Sequence, residues 1–217
     1  MTFVPAALPV DRGHAHDVSV ETTLDFLNSL DYDDGFPVEN FPTLGVALGW
    51  FAERGLMHLE GADRIREEGE SDPRAAARHL DRIRAVRAAL REVSDAVVEH
   101  RVPRKASVAE VNRALHARQV IELVSAPDGV HVDHRHVGDP VDDALARLSE
   151  ALVSELTSGH PERIRICADD TCRWVFYDTS RTGRRRWCDM ATCGNRAKQA
   201  RHRARAKGDA EDGASIA

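Results

Sequence analysis

The chain has 217 residues, with 30 Lys+Arg, 36 Asp+Glu and 42% hydrophobic residues, a balance that allows one large globular domain or a domain plus a small module. No apolar run approaches the ~20 residues that cross a bilayer. The first residues (MTFVPAALPVDRGHAHD) lack the basic start and apolar core of a secretory leader, so the expected compartment is the cytoplasm, where thiols stay reduced.

Charge is unevenly spread. Residues 1–160 carry a net −11, residues 161–207 a net +8, and residues 208–217 three acids. This swing argues for two units with different partners. Arg outnumbers Lys 27 to 3, so a raw Arg count says little by itself about nucleic acid.

Residues 1–18 read as a flexible N-terminus. Val20, Leu24, Leu27 and Leu30 follow a helical spacing, and residues 31–42 read as loop. Thr43 can cap a helix from Leu44 to Arg54, with Gly55 at its stop. Asp72-Pro73 signals the start of a long helix reaching about His100. Leu80, Ile83, Val86, Leu90, Val93 and Val97 form its buried stripe. Ser107 to Glu110 reads as a capping box for a shorter helix. "QVIELVSA" and "GVHVDHRH" flank Pro127-Asp128-Gly129 as a hairpin. Asp139-Pro140 opens a last helix with Val141, Leu145, Leu148, Leu152 and Leu156 on one face, and Gly159 ends it. The expectation is a mainly α chain with a small β-hairpin (α+β).

All four cysteines fall within one short segment: Cys167, Cys172, Cys188 and Cys193. The pattern is C-x(4)-C, a 15-residue gap, then C-x(4)-C. Two short Cys pairs suit a tetrahedral Zn²⁺ shell, and four thiolates leave no open position for chemistry. One structural zinc is expected, and the module should unfold without it. Two disulfides, or four unrelated thiols, are the competing reading. Between the pairs, "RWVFYD" alternates like a strand, "TSRTGR" reads as a turn at Gly183, and "RRRWC" can return as a second strand. Trp174, Phe176 and Trp187 are the apolar anchors. Asp178 can pair with an Arg or cap the strand end. A helix is expected from Asn195 to Ala206, with Asn195 as a candidate cap. Its Ala197, Ala200 and Ala204 face can lie on the zinc module.

The stretch "CADDTCRWVFYDTSRTGRRRWCDMATCGNRAKQARHRAR" resembles the CGNR zinc-finger family through Cys193-Gly194-Asn195-Arg196, the Phe176-x-Asp178-x-Ser180-Arg181 stretch and Arg185 to Cys188. Upstream, "TLDFLNSL" resembles the Leu-Asp-Phe-x-Asn opening of the ABATE domain, which precedes this finger. The resemblance implies an ABATE-like helical domain over 19–160 with a possible sensor role. It also implies a zinc-ribbon or treble-clef-like finger over 163–207. Residues 208–217, with three acids, read as a disordered acidic tail. It places the zinc ligands on Cys167, Cys172, Cys188 and Cys193, and it implies a bacterial, DNA-binding, stress-related transcription regulator.

Candidates for phosphate contact are Arg181, Arg184, Arg185, Arg186, Arg196, Lys198, Arg201, Arg203 and Arg205. RNA, an acidic protein partner or the acidic N-terminal domain could take the same face instead. Asp25 and Asn28 share a helix face and are candidates for a ligand pocket, open to an unknown small-molecule or protein effector. His131, Asp133, His134 and His136 look metal-like, but strand alternation splits them between two faces, so an exposed strand is expected. No phosphate loop, G-x-S-x-G, H-E-x-x-H or spare thiol is present, so no enzyme is expected.

Overall fold

The computed structural model describes residues 18–116, 119–126, 129–136 and 138–203. The N-terminal stretch, the acidic tail, Ala204 and Arg205 lie outside them, as do the side chains of His131, Asp133, His134 and His136.

Helix α1 (Val20–Leu27) starts where Ser19 Oγ accepts the Thr22 N–H at 3.1 Å. It stops before Leu30, which the sequence placed on the same helix. Leu30 instead opens β1 (Leu30–Asp33), antiparallel to β2 (Phe36–Glu39), across a span expected to be loop. The reason is Asp34-Gly35, whose φ values of 48° and 84° are those of a tight two-residue hairpin turn.

Helix α2 (Leu44–Glu53) is capped by Thr43 as expected, and Gly55, with φ 65°, follows its end. Helix α3 (Leu59–Ser71) had no counterpart in the sequence reading, because it buries only Ala62 and Ile65 and so shows little periodicity. Helix α4 (Pro73–Val98) begins on the Asp72 cap, with Ile83, Val86 and Leu90 inaccessible. Helix α5 (Lys105–Leu115) begins before Ser107, so Ser107 is no cap; Arg104 precedes the first turn instead. The expected hairpin is present as β3 (Gln119–Ala126) and β4 (Gly129–His136), with Ala126 opposite Gly129. Helix α6 (Pro140–Ser158) buries Val141, Leu145, Leu148 and Leu152.

Phe26, Phe41 and Phe51 form the aromatic centre of the core, with ring centroids 6.0 to 6.4 Å apart. The buried guanidinium beside them is paired. Arg87 Nη1 donates to Ser29 Oγ and Glu39 Oε1, each at 2.8 Å, and its Nη2 donates to Glu39 Oε2. Burial pushes the Glu39 carboxyl up, but the Arg87 bond and the Phe41 N–H outweigh it and hold it below the usual range.

After α6, a short turn (Pro161–Arg163) leads into β5 (Ile164–Ile166), which pairs antiparallel with β6 (Val175–Tyr177). "RWVFYD" thus does form a strand, but its partner is β5, not residues 184–188. Ile164 and Val175 belong to the same hydrophobic core as the helices. The segment 171–175 is held against the β1–β2 turn and the helices through its backbone. Gly35 N donates to Thr171 O at 3.1 Å, Arg91 Nη2 to Arg173 O at 2.5 Å, and Asn28 Nδ2 to Val175 O at 2.7 Å. Val175 N returns a bond to Asn28 Oδ1 at 2.9 Å. The Asn28 carboxamide therefore pairs with β6 as a neighbouring strand would.

Replacing Asn28 with Ala leaves a buried N–H and a buried C=O of Val175 without partners. The expected loss is about 2–4 kcal/mol of unfolding free energy in urea titration, whereas Asp25→Asn, at an exposed site, should change it by less than about 0.5 kcal/mol.

Candidate metal centre

Cys167 follows β5 directly, and Cys172 closes the short loop that leads to β6. The loop is tied by Cys172 N donating to Asp169 O at 3.0 Å and by Cys167 N donating to Trp174 O at 2.8 Å. Asp169 Oδ1 orders the loop by accepting from the Thr171 N–H and hydroxyl at 3.1 and 2.7 Å. Arg173 takes φ 55°, a conformation that turns the chain sharply behind the second ligand.

Cys188 and Cys193 come from a turn of π-helix (Met190–Gly194) and the residue pair before it. Its cap is Asp189, whose Oδ1 accepts the Thr192 N–H at 2.7 Å. Asn195 is therefore not the N-cap of the following helix; it closes the π-helical turn. It lies inside the helical run, and its Nδ2 donates to Ala191 O at 2.9 Å. The run continues as α7, residues 195–203. The expected Ala face contacts the module only at its start, since Ala197 is half-buried and Ala200 is exposed.

The four Sγ atoms lie within 4.8 Å of one another, with Cys172–Cys188 at 3.6 Å and Cys188–Cys193 at 3.7 Å. A Zn–S bond of about 2.3 Å puts tetrahedral sulfurs about 3.8 Å apart, whereas a disulfide needs about 2.05 Å. All four cysteines are free thiols. The donor set fits one structural zinc ion, which Cys167, Cys172, Cys188 and Cys193 could hold between them.

Two sequence candidates for phosphate contact turn out to serve the metal module. Arg196 Nη2 donates to Cys193 Sγ at 3.2 Å, and its Nε lies 2.9 Å from Asp169 Oδ2. It thereby joins the two cysteine turns. Arg185 packs its guanidinium 4.7 Å from the Phe176 ring, and its Nε donates to Trp187 O at 2.8 Å. Asp178 is fully buried and, among the described residues, forms no ion pair with an Arg. Its Oδ1 accepts the Ser180 N–H at 2.9 Å and its Oδ2 the Arg185 N–H at 2.8 Å. Burial opposes its charge, but these hydrogen bonds prevail and hold the carboxyl below the aspartate range. The carboxylate thus takes up the Arg185 N–H, and residues 184–188 form no strand. Arg163 Nη1 spans the turn, donating to Asp178 O at 3.1 Å and Ser180 O at 2.6 Å, while Gly183 sits at φ 61°. Sequence reading missed Arg163 and Asp169; both contact backbone or another side chain brought close only by folding.

Asp25 and Asn28 do line a common cleft of about 530 Å³, beside Trp50 and Trp174. Asn28 has both amide atoms committed to Val175, which leaves Asp25 as the candidate facing a ligand.

Without metal, burial pushes the Cys172 thiol up to about 11 and the Cys188 thiol up as well. Burial also opposes charge at Cys193, but Arg196 holds that thiol below the ordinary value. Zinc must displace the raised protons, so zinc retention against a chelator should weaken steadily from pH 8 to pH 6. Asp178 adds a separate acid limit. Its depressed pKa contributes stability that is complete above about pH 5 and is lost as pH falls through the folded value. Cys188→Ala should abolish stoichiometric zinc. Because Ile164 and Val175 sit in the common core, chelation should lower the melting temperature of the whole chain rather than of the finger alone.

A family model for the CGNR zinc finger matches residues 163–206, and one described as "Putative stress-induced transcription regulator" (ABATE) matches residues 21–160. No curated protein shows significant similarity to the chain. With the larger match covering more than half of its length and the finger following in order, the chain belongs to the ABATE family and carries a CGNR zinc finger.

Proposed function

We propose that the protein is a DNA-binding transcription regulator that contacts the phosphate backbone through the exposed cations of its zinc finger. One observation carries this reading. Arg181, Arg184, Arg186, Lys198, Arg201 and Arg203 are all exposed, and among the described residues none of them pairs with a carboxylate. Three acids of the finger are occupied, Asp169 by Arg196, Asp178 by backbone N–H groups and Asp189 by the cap at Thr192, which leaves the exposed Asp170 to set against the six cations. The absence of ion pairs to the acidic helices, among the described residues, favours an external polyanion over docking onto the chain's own N-terminal part. Arg205 extends the same series outside the described residues.

The reading is not enzymatic, since four thiolates close the zinc shell and leave no coordination position for a substrate. It places the protein in the cytoplasm, with stress-related control following the family description and an effector acting through the helical part. No helix of the described residues is long and apolar enough to cross a membrane.

Zinc-loaded protein should bind duplex DNA with a steep salt dependence. Neutralising Arg181, Arg184, Arg186, Lys198, Arg201 and Arg203 together should flatten the slope of log K against log salt by about 0.9 for each phosphate that is no longer neutralised. Zinc content should stay unchanged, because none of the six touches a cysteine sulfur. Duplex binding that survives this substitution would sink the reading, and preferential binding of structured RNA would replace it with an RNA-associated role.

A further inference from the structure

The cleft beside segment 171–175 has a composition that points to a particular ligand. On one side stands α2, where Gly49 leaves open space and Trp50 exposes part of its ring. On the other stands Trp174, which belongs to the finger. Asp25 and Glu53 also line the cleft, and both are exposed. The Arg54 guanidinium lies 4.2 Å from the Trp50 ring centroid. Its nitrogens come no closer than 3.8 Å to Asp25 and 4.0 Å to Glu53. Both separations exceed a hydrogen bond. The chain's own cation thus rests on an indole face between two carboxylates, hydrogen-bonded to neither.

We propose that this cleft is an effector site for a planar organic cation, an amidinium, guanidinium or aromatic ammonium group on a flat ring, which displaces Arg54 from Trp50. The volume of about 530 Å³ is that of a small-molecule site. The Trp50 face attracts a cation through its ring quadrupole. Asp25 and Glu53 offer hydrogen-bond acceptors that Arg54 leaves unfilled. An anion would meet two carboxylates and gain one guanidinium. A neutral ring would stack but would engage neither carboxylate.

The position of Trp174 connects this site to the metal. Its indole packs against the cysteine cluster, and its carbonyl accepts the Cys167 N–H at 2.8 Å. A ligand against Trp174 therefore presses on the zinc turn itself. The proposal rests on the regulator reading only in naming this ligand an effector; binding itself is tested without DNA.

The test uses the full zinc-loaded chain, titrated with benzamidine (as its cation), benzoate and benzyl alcohol, followed by calorimetry and tryptophan fluorescence. Benzamidinium should bind saturably and more tightly than the other two. Asp25→Asn should weaken it about two- to fivefold, and Arg54→Ala, which removes the competing cation, should tighten it by a similar factor. A merely structural role for Arg54 would give the opposite sign. Zinc content and circular dichroism of both variants should match the parent. Saturating benzamidinium should also slow zinc transfer to a chelator. The proposal is overturned if benzoate or benzyl alcohol binds as well as benzamidinium, if Arg54→Ala weakens binding, if no saturation is reached at the solubility limit, or if zinc transfer is indifferent to the probe. Loss of probe binding with DNA binding intact sinks this site alone; the converse sinks the regulator reading alone.

Discussion

The carbonyls of Thr171, Arg173 and Val175 each accept a hydrogen bond from the N-terminal part of the chain, from the β1–β2 turn, α4 and the end of α1 respectively, while Cys172 between them belongs to the cysteine cluster. This short segment is therefore fixed from two sides at once. The metal holds the turn, and Asn28, Gly35 and Arg91 hold its backbone. Val175 is buried, and its backbone groups must find partners, so the Asn28 pair is not dispensable. The finger cannot rotate away from the helices without breaking the Asn28–Val175 pair. The helices cannot complete their core without Ile164 and Val175.

This arrangement changes how the basic charge is understood. A dense run of arginine reads as one uniform face, yet its members divide into two chemical roles. Arg185 and Arg196 stiffen the finger, one stacked on Phe176 and the other bridging Asp169 to Cys193. The exposed cations are displayed by what these two hold rigid. A metal-closed turn also limits the entropy that such a surface loses when it meets a polyanion, because its frame is already ordered.

The cleft at the joint follows from the same geometry. Trp174 is carried by the clamped segment, so it faces the helical part and the cysteine cluster together. Any occupant of the cleft thereby meets a residue that is mechanically part of the metal site. Arg54 on Trp50 is a cation already in place, and its distances to Asp25 and Glu53 mark the acceptor capacity left over.

Much of this was legible in the sequence wherever a local rule applied. Asp72-Pro73 and Asp139-Pro140 marked two long helices, because caps and fixed φ act within a few residues. The cysteine spacing pointed to the metal, since thiolate chemistry and loop length suit a tetrahedral shell. The Asp34-Gly35 turn is equally local, yet without a clear strand pattern on either side it read as loop. What the tertiary structure alone decided were contacts between distant segments. Asn28 looked like a polar residue on a helix face and became the strand partner of Val175. β6 paired with β5 rather than with residues 184–188, because Asp178 captured the Arg185 N–H and Ile164 was drawn into a core built by helices far away in the chain. Local sequence specifies caps, turns and ligand types; which buried N–H meets which carbonyl depends on the whole fold.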